Sequence, residues 1–178
     1  MGDFVKGNQF RAYERNIQVG ILLHREIDSF TDQHPIVKQS KDRLKEKYRH
    51  YSGVIVDVFY DHFLALNFDT FSQSDLVDFV NSKYQLLERN LALLPEKAQH
   101  MLPYMIRGNW LVNYCEFGGV QRSLTGMSRR TRFDSKMDQA ILELKKYHED
   151  FNTEFMEFFP LIIAHADKYR EELLNSQL

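Results

Sequence analysis

The stretch from Gly53 to Leu66 is apolar almost throughout, yet it carries Asp57, Asp61 and His62, and no Lys or Arg falls between Tyr51 and Phe71. Its length and its run into Phe63, Leu64, Ala65 and Leu66 predict a helix, although Val54, Ile55, Val56 and Val58 alone would suit a strand. On a helix Asp57 and Asp61 share one face at i and i+4, and His62 lies one position further round. Apolar neighbours occupy most of the circumference, so these carboxylates are expected partly inside the protein, where an uncompensated charge is very unfavourable. They need a cation. Arginines from elsewhere would serve, with His62 a hydrogen-bonded core histidine, and so would a metal ion.

A second constellation favours the metal. Between Gly20 and Asp32, His24, Asp28 and Asp32 recur at i, i+4 and i+8 beside the apolar set Ile21, Leu22, Leu23, Ile27 and Phe30. Two helices that each hold His and Asp on an otherwise apolar surface can set them face to face across a bundle, which is how helix bundles build metal sites.

The remaining features bound the class. At 178 residues, with 43% hydrophobic and 27% charged residues, 8 Gly and 4 Pro, the chain suits one globular domain spanning residues 1–178. The lone Cys115 excludes an intramolecular disulfide framework and a thiolate zinc site. No apolar run approaches a membrane span, and the first residues lack the apolar core of a signal peptide, so a cytoplasmic protein without membrane association is expected.

Read in order, Gln9 to Asp32 predicts a long helix closed by Pro35, and Ile36 to Arg49 predicts the next. The second carries Lys38, Lys41, Arg43, Lys45, Lys47 and Arg49 against only Asp42 and Glu46, either as an ordinary solvated face or as a docking face for an acidic partner. After the central helix, Ser74 is expected to cap a helix reaching about Asn90, and a short helix from Pro95 is expected to break at Pro103. The run from Phe117 to Arg132 holds four arginines and no acid, and reads either as a basic loop bonding helix ends or as an anion-binding segment. Asp134 is expected to cap a last helical pattern through Met137, Ile141, Leu144, Phe151, Phe155 and Phe158, interrupted at Pro160. These elements predict an all-α, single-domain helical bundle.

Several chemistries are absent from the sequence. It contains no GxGxxG, GxxxxGK[ST], GxSxG or HExxH motif, and no ExxH pair of the kind a ferritin-like di-iron bundle requires. His/Asp metal chemistry remains, and oxygen-rich sites with one or two imidazoles suit Mn²⁺ or Mg²⁺.

Three ordered segments carry a resemblance: Asp3 to Gly7, Gly20 to Asp32, and Val56 to Leu64; the later Leu124 to Arg130 adds to it. Together they resemble the bacterial acyl carrier protein phosphodiesterase family, regarded as a divergent, all-helical relative of the HD-type metal phosphohydrolases. The resemblance implies an HD-domain-like bundle and Mn²⁺-dependent cleavage of 4′-phosphopantetheine from holo acyl carrier protein, an acidic protein substrate. It matches the family's acidic and imidazole positions to Asp3, His24, Asp28, Asp57, Asp61 and His62. The family also usually carries a helical stretch ahead of the Asp-Phe-Val motif, often with Asn-Phe-Leu-Ala-His, whereas this sequence starts at Met1-Gly2.

On this reading Asp3, His24, Asp28, Asp61 and His62 bind the metal, Asp57 completes its shell or accepts a proton, and Arg25, Arg129 and Arg130 neutralise the phosphate. Nucleic acid is not an expected partner. A metal phosphohydrolase of nucleotides or other small phosphoesters, and a non-catalytic helical interaction domain, are the competing readings.

Overall fold

A computed structural model describes residues 4–176. Ten helices follow in order: α1 (Arg15–Gln33), α2 (Pro35–Tyr48), α3 (Ser52–Leu66), α4 (Phe68–Phe71), α5 (Leu76–Arg89), α6 (Glu96–Arg107), α7 (Trp110–Asn113), α8 (Phe117–Ser128), α9 (Ile141–Lys146) and α10 (His148–Asn175). The described residues form no strand. The fold is all-α, as the periodicity predicts.

The central helix is α3. Ile55, Val56, Val58, Phe59, Phe63 and Ala65 are buried against α2, α8 and α10, so three of its sides are core. Val54, Asp57 and Asp61 form one open strip, and Leu66 at the helix end is also exposed. The Phe59 and Phe151 rings meet edge to face with centroids 5.1 Å apart, and Tyr60 meets Phe155 in the same manner at 5.6 Å, a geometry that adds to the simple burial of ring area.

Pro35 divides α1 from α2 as its chemistry demands. The residue before a proline is driven out of the α region, and His34 is extended at φ −71°, ψ 133°. The same His34 then caps α2, its Nδ1 accepting from the Ile36 amide at 3.3 Å.

The other expected boundaries shift. The long first helix is shorter, a 3-10 turn at Gly7–Ala12 preceding α1. Asp75, not Ser74, caps α5, accepting from the Val77 and Asp78 amides. Pro103 and Pro160 do not end helices but sit inside α6 and α10. An internal proline costs about 3 kcal/mol, and in α10 the burial of Phe155 and Phe158 before it and Ile162 after it offsets that cost. The basic run from Phe117 is mostly helix α8, because Val120 and Leu124 are fully buried against α3.

One buried ion pair fastens α2 to α10. Glu154 is 4% exposed, and its carboxylate accepts from both Arg43 terminal nitrogens at 2.8 and 2.6 Å, from Gln39 at 2.9 Å and from Ser40. Ser40 in turn bonds the Tyr60 hydroxyl at 2.9 Å. Every lone pair of a charge buried this deeply needs such a partner.

Candidate active site

The open strip of α3 faces a cavity of about 400 Å³ between α1, α3 and α10. Asp57 and Asp61 form one wall, Asp28 and Asp32 of α1 the opposite rim, and Phe155, Phe158 and Ile162 of α10 an apolar side. Helical spacing explains the set: residues four apart on each helix project the same way, so two carboxylates from α1 meet two from α3. The volume falls within the range of small-ligand sites.

Asp57 and Asp61 keep a face open to water, yet protein atoms surround them on the remaining sides. Partial desolvation raises the Asp61 carboxyl to about 7, with the neighbouring Asp57 charge adding to the effect. Asp57 is raised to about 6, again by desolvation first, with Lys41 opposing and Asp32 and Asp28 reinforcing the shift. Asp57 and Asp61, at an apolar-sided cavity, therefore resist full ionisation and attract a cation. Lys41 is the near cation, and it is paired with Asp32 at 2.7 Å.

The other expected site residues are distributed differently. His24 does not line the cavity but holds its rim, Nδ1 lying 2.9 Å from Asp28 Oδ2. Asp3 lies outside the described residues. His62 is not beside Asp61 in space: one residue is a 100° step round the helix, which carries the imidazole into the core. There its Nδ1 lies 2.6 Å from the Tyr114 carbonyl oxygen, with Phe117 and His148 ring centroids 5.3 and 5.6 Å away. Burial pushes its pKa down.

The arginines also need correction. Arg25 does not reach the cavity. It donates to the Val5 and Gly7 carbonyls at 2.8 and 2.9 Å and lies over the Phe10 ring, fastening the chain before α1. Arg129 is exposed after α8 and away from the carboxylates, and Arg130 points into a different cavity, described below. Three polar cavity residues, Thr31, Asp32 and Tyr60, lie outside the expected set. Asp32 was legible in the i, i+4, i+8 line with His24 and Asp28, whereas Tyr60 had no distinguishing signal among the core aromatics.

Among the described residues no three His, Cys, Asp or Glu side chains converge closely enough to hold a metal ion. The donor chemistry nevertheless suits a hard divalent cation, because the polar side chains lining the cavity offer only oxygens, carboxylates beside the Thr31 and Tyr60 hydroxyls, and desolvation holds Asp57 and Asp61 toward the protonated form.

The family model described as acyl carrier protein phosphodiesterase matches residues 1–162. The chain belongs to this family. Curated relatives named acyl carrier protein phosphodiesterase include one from Photorhabdus laumondii, 32% identical over 94% of this chain and 85% of its own length. Another, from Enterobacter sp., is 32% identical over 93% and 86%, and one from Escherichia coli is 29% identical over 94% and 88%. No solved structure matches the chain significantly. In this member of the acyl carrier protein phosphodiesterase family, residues 1–162 take in the whole carboxylate cavity, including the part of α10 up to Ile162.

Proposed function

We propose that the protein hydrolyses the phosphodiester joining 4′-phosphopantetheine to a serine of holo acyl carrier protein, releasing the apo carrier and 4′-phosphopantetheine. The observation that carries this reading is the cavity shared by Asp28, Asp32, Asp57 and Asp61, in a chain whose family is named for that activity. An HD-type ancestry and Mn²⁺ or Mg²⁺ dependence belong to the same proposal.

Asp57 and Asp61, four apart on one face of α3, are the residues that would hold a metal, with Asp28 across the cavity from them. A divalent cation, when bound, supplies charge for the phosphoryl oxygens and lowers the pKa of a water. The chain's own part is positioning and proton transfer. The apolar side formed by Phe155, Phe158 and Ile162 limits water around the carboxylates, and His24 Nδ1 stands 2.9 Å from Asp28 at the rim. Asp57, on the open face of α3 at the cavity, is the carboxylate that would complete the metal's shell or accept a proton from the attacking water.

The carrier would dock on α2. Lys38, Lys41, Lys45 and Arg49 border one shallow concavity, and Lys41 connects it to the cavity rim through Asp32. The full basic complement of α2 is not available for docking, because Arg43 is turned inward to Glu154 and Lys47 is bonded to Glu143 at 3.0 Å. Charge complementarity of this kind steers encounter more than it holds the complex.

The test is incubation of the purified chain and Mn²⁺ with holo acyl carrier protein, reading loss of the prosthetic arm by intact mass, beside a panel of nucleotides. Carrier cleavage without nucleotide turnover is expected. Nucleotide turnover alone would transfer the cavity to a small-phosphoester hydrolase, and no turnover on either would leave an interaction domain.

A further inference from the structure

A second cavity, of about 440 Å³, opens between α7 and α8 and is lined by Tyr114, whose carbonyl oxygen meets His62 of α3. Trp110, Tyr114 and Met127 give it apolar walls, and Arg122 and Arg130 give it two guanidiniums. Arg122, Gly126 and Arg130 are spaced four apart, so the arginines flank a bare stretch of helix. A Cβ at Gly126 would meet no atom within 4 Å. Gly119, one turn before Ser123, shows the opposite: a Cβ there would fall 1.8 Å from the Asn113 carbonyl oxygen, which is where α7 closes on α8. The groove thus has a shut end and an open middle.

Its charge is unspent. Among the described residues neither Arg122 nor Arg130 pairs with a carboxylate. The Arg130 Nε donates to the Gly126 carbonyl at 3.1 Å, which fixes the guanidinium plane and leaves its terminal nitrogens to other acceptors. Two such forks match a phosphate monoester better than a diester, since the monoester carries nearly two negative charges at neutral pH and the diester only one. Tyr114 lines the groove and also touches α3, its carbonyl oxygen lying 2.6 Å from Nδ1 of His62, the residue after Asp61.

We infer that this groove is a product site for 4′-phosphopantetheine, with the phosphate between Arg122 and Arg130 and the uncharged amide chain along Trp110, Tyr114 and Met127. The inference rests on the proposed reaction, which turns a singly charged diester into this monoester. The second negative charge that the product gains is what two guanidiniums match better than the diester's single one.

Trp110 is the chain's single tryptophan, so its fluorescence reports on this groove alone. The metal-free full chain is titrated with 4′-phosphopantetheine, pantetheine and inorganic phosphate. Saturable change with 4′-phosphopantetheine is expected, with the other two weaker by about tenfold or more, and Arg122→Gln and Arg130→Gln each weakening it by about tenfold. Gly126→Leu should abolish the response without lowering Tm, because leucine favours the helix more than glycine does and the space is vacant. No response to 4′-phosphopantetheine, equal binding of inorganic phosphate, or undiminished binding by the variants overturns the assignment. Holo carrier cleavage is measured in parallel: cleavage without a Trp110 response removes the groove and keeps the reaction, and a response without cleavage does the reverse.

Discussion

Lys41 Nζ lies 2.7 Å from Asp32 Oδ1, an ion pair between α2 and α1 that joins the basic face to the rim of the carboxylate cavity. A carrier bound by its acidic surface to α2 would therefore bring its prosthetic arm to the edge of the site. The pair also places the Lys41 charge where it holds the Asp57 carboxyl down. Lys41 thus belongs to the basic face of α2 and to the cavity rim alike.

Charge reversal at Lys38, Lys45 and Arg49, leaving Lys41 intact, should raise KM for holo acyl carrier protein by about tenfold at low salt and spare hydrolysis of a small phosphodiester. The difference from wild type should shrink as salt rises, since screening already weakens the unaltered encounter. Steady-state kinetics on both substrates checks this. An equal loss on both would mean that the cavity itself had been disturbed.

Asp61→Asn should lower carrier cleavage by about a hundredfold, the scale of losing a group that holds the metal. The same change should leave the metal-free protein as stable or more stable above neutral pH, because it removes a carboxylate that the fold ionises reluctantly. Circular dichroism melts beside turnover measure both. A large fall in Tm would show Asp61 to be structural.

The metal-free protein should lose stability as pH rises from about 4 to about 7. Unfolded Asp57 and Asp61 ionise near 3.8, while the folded groups keep their protons to about 6 and about 7. Between those values the native state binds more protons than the unfolded one, so each step up in pH favours unfolding. His62, pushed down by burial, acts in the opposite direction, costing stability as pH falls below about 6.5. Urea denaturation across this range should show the carboxylate slope, and Asp61→Asn should flatten it. Added Mn²⁺ should stabilise the unaltered protein more at the alkaline end than at the acid end.

His62→Asn should lower Tm yet change Mn²⁺ affinity by less than about twofold, because the imidazole faces the Tyr114 carbonyl and not the cavity. Calorimetric titration of Mn²⁺ into the variant decides it. Loss of metal binding would return His62 to the ligand set.

Glu154→Ala should destabilise the fold by about 3 kcal/mol, since it strands Arg43 beside the core. Exchanging both partners together, Arg43→Met with Glu154→Leu, should cost much less, because no charge is left unpaired. Chemical denaturation of the three variants gives the comparison.

Hydrophobic periodicity and proline chemistry made most of the helices legible. The break at His34-Pro35 is local stereochemistry, and the apolar circumference of the Gly53 to Leu66 segment could be satisfied only by burial. The two carboxylate lines were equally visible, because i and i+4 positions share a face wherever the helix is placed. Tertiary packing decided the rest. Pro103 and Pro160 became internal because neighbouring core contacts outweigh one lost hydrogen bond, and the basic run became α8 because Val120 and Leu124 had a core to enter. Packing also turned His62 and Arg25 away from the carboxylates. A side chain adjacent in sequence to a ligand position points about 100° away, and which direction is core and which is cavity depends on where α8 and α10 lie. Spacing fixed which residues travel together on a helix; only the assembled bundle decided what each set faces.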